Sequence, residues 1–315
     1  MKVSNVDMRD AFFDELYRIA RQDKRVILLS ADFGAPSLDR FRRDLPGQYI
    51  NVGISEQSMV SIAAGLALSN KIVYMYAISP FATLRCYEQI KIDLCTMNLS
   101  VTAVGVGAGF AYGSAGPTHH SIEDIAVMRA LPSMMVLSPS DSIMAAGLAK
   151  ITYEAAGPKY IRLDRGKTPL FYSDSNDNFN SGLTVIKKSR DVYIISTGTM
   201  LQRALEVSDE LAKQAIDSGV IDLYRLKPVN TSLFLDVVKE SKKIVSLEEH
   251  LINGGIGSIV AEVLSDVEIY KPLKRIAIHD EHCFGYGDRE SLQICCGLDV
   301  ANVISMIVKW HKNVS

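Results

Sequence analysis

The sequence predicts an α/β protein of two consecutive domains, each with a mainly parallel sheet flanked by helices. Three observations carry that prediction: strand-like and helix-like segments alternate along the chain, the strand-like segments are mostly continuously apolar, and the composition breaks between Gly166 and Gly182. Continuous apolar runs are what strands buried on both faces require. With 315 residues, 48% of them hydrophobic, the chain is long enough for two separate cores at roughly 100–200 residues each.

The elements follow in order. Met8 to Ala20 places Phe12, Phe13, Leu16, Tyr17 and Ile19 on one broad helical face, with Asp7 available as N-cap. Val26 to Ser30 (V-I-L-L-S) reads as a buried strand, followed by a polar loop with Gly34 and Pro36. Ser55 to Ser69 is a helix rich in Ala and Gly, capped by Ser55 and able to approach a neighbouring backbone closely. Strands are predicted at Ile72 to Ile78, Ser100 to Gly105, Met134 to Leu137 and Tyr160 to Leu163. Helices separate them near Pro80 to Met97, Ser121 to Ala130 and Asp141 to Ala155.

The stretch K-T-P-L-F-Y-S-D-S-N-D-N-F-N-S has no amphipathic period and reads as a linker. This sets the domains at 1–168 and 183–315, with 169–182 between them. Beyond the linker the alternation resumes at Val192 to Ser196, a helix from Met200 to about Ala215, then Val220 to Tyr224, Leu233 to Glu240, Ile244 to Leu247, Gly257 to Leu264 and Arg275 to Ile278. A helix from Val300 to Trp310 closes the chain.

Composition excludes several functions. The formal charge is −2, from 34 Lys and Arg against 36 Asp and Glu, without the basic footprint of a nucleic-acid binder. Apolar stretches such as Val101 to Val106 fall short of the ~20 residues that cross a bilayer. The start, M-K-V-S-N, has no apolar secretory core, so a soluble, cytoplasmic protein is expected. Five cysteines without a C-x-x-C pair point to reduced thiols, and adjacent Cys295 and Cys296 read as small buried residues. G-V-G-A-G-F-A-Y-G fails as a dinucleotide fingerprint, because the third glycine falls on Phe110 or Tyr112. His279-Asp-Glu-His282 lacks further partners and is a weak metal motif.

Four segments carry chemistry. In Asn51-Val-Gly-Ile-Ser-Glu-Gln57, Glu56 opens a helix; alone, this is a carboxylate complementing the helix dipole. Pro80-Phe-Ala-Thr-Leu-Arg-Cys-Tyr-Glu-Gln89 presents Phe81 and Tyr87, either core residues or flat faces for a flat ring. Gly113-Ser-Ala-Gly-Pro-Thr-His-His120 ends a loop in two histidines, which are donors or proton carriers near neutral pH. Tyr160-Ile-Arg-Leu-Asp-Arg-Gly166 places Arg162 and Arg165 on opposite faces while the strand lasts.

Taken together, G-I-S-E-Q, F-A-T-L-R-C-Y-E-Q and G-P-T-H, in this order, resemble the C-terminal half of the transketolase family of thiamine diphosphate enzymes. The resemblance implies that Glu56 touches the ring nitrogen of the cofactor's aminopyrimidine and favours its imino tautomer, the base that deprotonates the thiazolium carbon. It also implies that Phe81, with Tyr87 beside it, stacks on the pyrimidine. His119 is implied to contact substrate and act in catalysis, while His120 is read as structural. Arg165 is implied to bind a substrate phosphate, a task suited to a bidentate cation; an ion pair with Asp164 or a solvated arginine is its plainer reading. Asp32 in S-A-D and Ser37 in A-P-S resemble the first active-site loop, as cofactor- and substrate-binding residues, although Gly34 lengthens that loop. Glu248-Glu-His250 and Gly254-Gly-Ile-Gly-Ser258 resemble the family's C-terminal domain, a packing and subunit-contact module.

Departures narrow the substrate. Counting back from His119, a sugar-binding Asp falls on Ala115 and a phosphate-side His on Gly107. A relative acting on a modified or differently sized sugar, or a synthase using another donor, fits better than a pentose-phosphate transketolase; modified or phosphorylated sugars are the expected substrates. No G-D-G motif occurs for the diphosphate and its Mg²⁺. The resemblance therefore implies an N-terminal partner subunit carrying that domain and the metal ligands, assembled with this chain as a heterotetramer. The expected activity is transfer of a two-carbon ketol unit between sugars. Alternatives are a deoxyxylulose-phosphate-synthase-like or 2-oxo acid dehydrogenase β-type subunit, and a non-catalytic scaffold.

Overall fold

The computed structural model describes residues 4, 6–32, 34–173 and 179–313. Residues 1–108 with 127–180 form one compact unit, and 109–126 with 181–315 form a second. Part of the predicted linker, residues 174–178, lies outside the described residues.

In the first part of the chain the elements run α1 (Met8–Gln22), β1 (Val26–Ser30), α2 (Leu38–Asp44), β2 (Tyr49–Asn51), α3 (Glu56–Leu68) and β3 (Ile72–Ile78). They continue as α4 (Ser79–Ala82), α5 (Tyr87–Gln89), β4 (Val101–Val106), α6 (Asp124–Ala130), β5 (Met135–Leu137), α7 (Ser142–Glu154) and β6 (Lys159–Leu163). The six strands of the first unit are ordered β5-β6-β4-β3-β1-β2, and every pairing among them is parallel. β1, β4 and β6 are buried along their whole length, as continuous apolar runs predict. Asp7 caps α1 by accepting from the Asp10 amide at 2.8 Å. The buried face of α1 meets the sheet through edge-to-face contacts of Phe12 with Tyr74 and Phe13 with Tyr76, at 6.1 and 4.9 Å between centroids.

The structure departs from three expectations in this part of the chain. The loop after β1 contains α2 and the short β2; only Leu38 and Phe41 of α2 are buried, too few apolar positions for a visible period. Ser55 precedes α3 without a side-chain capping bond. The helix predicted over Pro80 to Met97 is broken into α4, a 3₁₀ turn (Leu84–Cys86), α5 and a π-type segment (Ile90–Cys95). Thr83 Oγ1 donates to the Ser79 carbonyl at 2.7 Å and Cys86 Sγ to the Phe81 carbonyl at 3.4 Å. These side chains take carbonyls that a continuous helix would use.

Lys159, at the start of β6, is buried and donates to the carbonyls of Ala155 and Gly157 at 2.7 and 2.8 Å. Burial pushes its pKa from the ordinary 10.5 down to about 8. Between these values the folded chain binds fewer protons than the unfolded chain. Lys159 therefore contributes stability that is fully present above 10.5 and is lost as pH falls to about 8. The stability difference between wild type and Lys159→Met, measured by urea unfolding, is expected to shift in favour of wild type as pH rises across that window. A pH-independent difference would refute the assignment.

The second part continues with β7 (Leu183–Lys187), β8 (Val192–Ser196), α8 (Met200–Ala212), β9 (Ser218–Leu223), β10 (Arg225–Lys227), α9 (Thr231–Val238) and β11 (Lys243–Leu251). It closes with α10 (Ile256–Asp266), β12 (Leu273–Ile278), α11 (Arg289–Cys295) and α12 (Val300–Asn313). The five-stranded sheet is ordered β12-β11-β8-β9-β7, parallel except for the antiparallel edge strand β7. Glu248 is buried and accepts from the amides of Ile256 and Gly257 at 2.6 and 2.9 Å, satisfying the start of α10. Arg289–Asn313 has the length and hydropathy to cross a bilayer by composition alone, yet it is two helices, broken at Gly297 with φ +71°. Cys295 is exposed and Cys296 half-buried, correcting the expectation that both are core; Leu292 and Gln293 take the buried face of α11.

Candidate active site

The strand order places a topological switch between β1 and β3, where the chain leaves the sheet in opposite directions. Ligands of open α/β sheets bind beyond the carboxyl ends of the strands at such a point. Four of the predicted residues follow those ends: Asp32 after β1, Glu56 after β2, and Phe81 and Tyr87 after β3.

Glu56 is the first residue of α3 and is 3% exposed. Position at a helix start gives its charge the favourable end of the dipole. Arg85 Nη1 donates to its Oε1 and Oε2 at 3.0 and 2.9 Å. The same guanidinium lies 3.8 Å from the centroid of the Phe81 ring. Phe81, Arg85 and Glu56 thus form one stack, in which a flat, delocalised N–H-bearing group rests on an aromatic face and bonds a buried carboxylate. Burial pushes the neighbouring Cys86 thiol up to about 12, and the negative charge of Glu56 adds to that shift.

The strap carrying Phe81 is tied down from below. Ser79 Oγ, just after β3, and the hydroxyl of Tyr160 in β6 share a 2.7 Å hydrogen bond across β4. Gly105 is required there, since a Cβ would come within 2.9 Å of the Tyr160 ring. Tyr87 is half-buried and spends its hydroxyl on the Val127 carbonyl at 2.8 Å, which fixes its ring orientation.

Asp32 has a left-handed backbone, φ 54°, and is clamped by Asn51: its amide donates to Asn51 Oδ1, and Asn51 Nδ2 donates to its Oδ1, both at 3.2 Å. Ser37 is buried and donates to Asp10 Oδ1 at 2.8 Å, beside a surface cavity of about 520 Å³ that Asp7, Asp14, Arg40 and Lys167 also line. Arg165 lies just past the end of β6 and is exposed, with its amide held by Asp164 Oδ1 at 2.7 Å; Arg162 is buried within the strand.

His119 belongs to the second unit. It is half-buried, with Nδ1 2.9 Å from Thr118 Oγ1 and its ring 5.8 Å from that of Tyr112. His120 is buried, with Nε2 2.9 Å from the Gly113 carbonyl, matching a structural role. Gly107, at the position of a phosphate-side histidine, has φ +96°, a conformation that a side chain strains. Gly109 faces Glu249, whose carboxylate would collide with an added Cβ. Gly109 thus serves close packing against Glu249.

Neither Arg85 nor Asn51 stands out in the sequence as a site residue. No local period marks Arg85: the chain is broken at Thr83 between Phe81 and Arg85, so the guanidinium reaches the ring off any continuous helix.

A carboxylate and an aromatic face held together beyond parallel strand ends form a surface whose chemistry suits a flat, nitrogen-bearing group, here the Arg85 guanidinium. Similarity to known proteins carries the assignment further. Residues 4–169 match the transketolase pyrimidine-binding domain, and residues 182–303 match the transketolase C-terminal domain. The chain is 33% identical over 306 residues to one of the subunits of the apulose-4-phosphate transketolase of Phocaeicola vulgatus, covering 96% of this chain and 97% of that one. It is 35% identical over 281 residues to a 6-deoxy-6-sulfo-D-fructose transketolase subunit of a Clostridium species, covering 88% and 86%. A solved structure described as a split gene transketolase, inactive beta4 tetramer, superposes with a TM-score of 0.88 at 32% identity, covering 97% of this chain and 98% of that one. The fold also matches 46% of a Campylobacter jejuni transketolase, with a TM-score of 0.81 at 18% identity. The chain belongs to the transketolase family and consists of that family's pyrimidine-binding and C-terminal domains. It is one subunit of a thiamine diphosphate-dependent transferase of that family.

Proposed function

We propose that this chain works with a separate N-terminal subunit to transfer a two-carbon ketol unit between phosphorylated or otherwise modified sugars, using thiamine diphosphate and Mg²⁺ in the cytoplasm. The observation that carries the cofactor reading is the Phe81–Arg85–Glu56 stack: the site already holds a planar N–H donor on its aromatic face and carboxylate. An aminopyrimidine is likewise flat and offers N–H groups at its edge. When bound, thiamine diphosphate supplies a carbanion equivalent at its thiazolium carbon.

In this reading residues 1–168 form the pyrimidine-binding domain, 169–182 the linker and 183–315 the C-terminal domain. Glu56 shares a proton with the pyrimidine ring, while Phe81 and Tyr87 hold the ring and keep water away from that carboxyl. Asp32 lines the cofactor side. His119 contacts the substrate and carries a proton, and Arg165 and Ser37 bind its polar end. The partner supplies the carboxylate and carbonyl oxygens for Mg²⁺, and two copies of each chain form a heterotetramer. Support for separate chains comes from near-complete coverage of a relative that is itself named as a single transketolase subunit, against under half of a longer transketolase.

The competing substrate reading comes from relatives named 1-deoxy-D-xylulose-5-phosphate synthase, one of them 28% identical over 305 residues. A coupled assay of the two-chain complex separates the readings. Ketol transfer from a panel of ketose phosphates and modified ketoses is expected, with pyruvate inert. Decarboxylation of pyruvate without ketose cleavage would overturn the ketol-transfer proposal.

A further inference from the structure

We propose that Arg85 is a positioning residue of the cofactor site: its guanidinium takes the face of Phe81 and the oxygens of Glu56 that the pyrimidine uses, and it is displaced toward solvent when the cofactor enters. The inference rests on the thiamine diphosphate reading and deepens it. Arg85 makes two contacts with the same two groups that the pyrimidine needs. Its guanidinium covers Phe81 at 3.8 Å, and its Nη1 takes both oxygens of Glu56 at 2.9–3.0 Å. A ring stacked on that face of Phe81 and bonded to Glu56 cannot coexist with this arrangement.

Physical chemistry explains why such a residue is useful. Glu56 is nearly inaccessible to water, with its side chain 4% exposed. A buried carboxylate without a partner is strongly unfavourable. Arg85 supplies the partner and an aromatic contact at once, so Glu56 and Phe81 are held in place. The Arg85 side chain is itself 42% exposed. Its charge can therefore swing into water at little cost, because it never leaves solvent completely. The turn favours that swing: Leu84 beside Arg85 is exposed as well, while Cys86 is buried and anchors the turn from inside. The exchange also selects the ligand. Because a neutral ring nitrogen carries no proton, the exchange takes up one proton from solvent, which Glu56 and that nitrogen then share; a ring without a basic nitrogen there leaves the carboxylate unpaired and fails to replace the guanidinium.

Two measurements test this. In the complex with the N-terminal subunit and Mg²⁺, thiamine diphosphate is titrated by equilibrium dialysis against wild type, Arg85→Met and Arg85→Lys. Removing an occupant of the site raises the competent fraction, so the Kd of Arg85→Met is expected to fall about 3- to 10-fold. Arg85→Lys, which loses the planar fork, is expected to lie between. A Kd for Arg85→Met equal to or above that of wild type overturns the proposal. Failure of every version, wild type included, to bind the cofactor overturns the thiamine reading and this proposal with it. In this chain alone, Arg85→Met is expected to lower Tm, and adding Glu56→Gln is expected to recover most of the loss. Additive effects of the two substitutions would show that the contact is not energetically real, and would overturn the proposal independently of binding.

Discussion

Glu56→Gln is expected to lower exchange of the thiazolium proton of bound cofactor by about 10²- to 10⁴-fold, the usual contribution of a positioned acid or base. Glutamine keeps the size and one hydrogen-bond acceptor of glutamate but cannot take up or share a proton. The substitution therefore isolates proton sharing from shape. Rapid-quench NMR of the two-chain complex measures the exchange directly, without any sugar substrate. The site supports this assignment on two grounds: Glu56 is buried at a helix start and is already engaged by a planar N–H donor. Glu56→Asp withdraws the carboxyl by one methylene and is expected to fall between glutamate and glutamine. Exchange at the wild-type rate in Glu56→Gln would remove Glu56 from the chemistry while leaving the fold assignment intact.

Much of the architecture was legible because burial on both faces leaves a plain mark. Val26–Ser30, Ile72–Ile78 and Val192–Ser196 were each read to the residue, since a central parallel strand tolerates little but apolar side chains. The helix capped by Asp7 was equally clear. Irregular structure around the site was not legible. The strap from Ser79 to Cys95 has helical composition, but Thr83 and Cys86 divert its carbonyls and break it into short turns. That break lets Arg85 return over Phe81. The roles of Arg85 and Asn51 depend on a clamp and a stack formed between segments, and no local period encodes either. Ser37 is oriented in the same way by a partner distant in sequence, since its hydroxyl donates to Asp10 of α1.

The second large effect concerns the partner. The Phe81–Glu56 wall suits a pyrimidine, yet the chain has no G-D-G motif for the cofactor's diphosphate. A diphosphate with its Mg²⁺ needs several hard oxygen ligands in octahedral geometry, and its charge cannot be left unmet inside a protein. In the proposed assembly those ligands come from the N-terminal subunit, so each chain alone holds only part of the cofactor. Affinity in the complex should far exceed that of either chain, because the two halves of one ligand are then bound together. Equilibrium dialysis of thiamine diphosphate against each chain and against the mixture measures this directly, and equal affinity for this chain alone and for the mixture would contradict it.

The division of the active site between two chains is tested most directly by ketol transfer, with this chain purified alone and then mixed with a second chain that carries a G-D-G motif and a downstream Asn, at saturating thiamine diphosphate and Mg²⁺. No turnover above background is predicted for either chain alone, and full activity on mixing. Turnover by this chain alone at the rate of the mixture would contradict a shared active site.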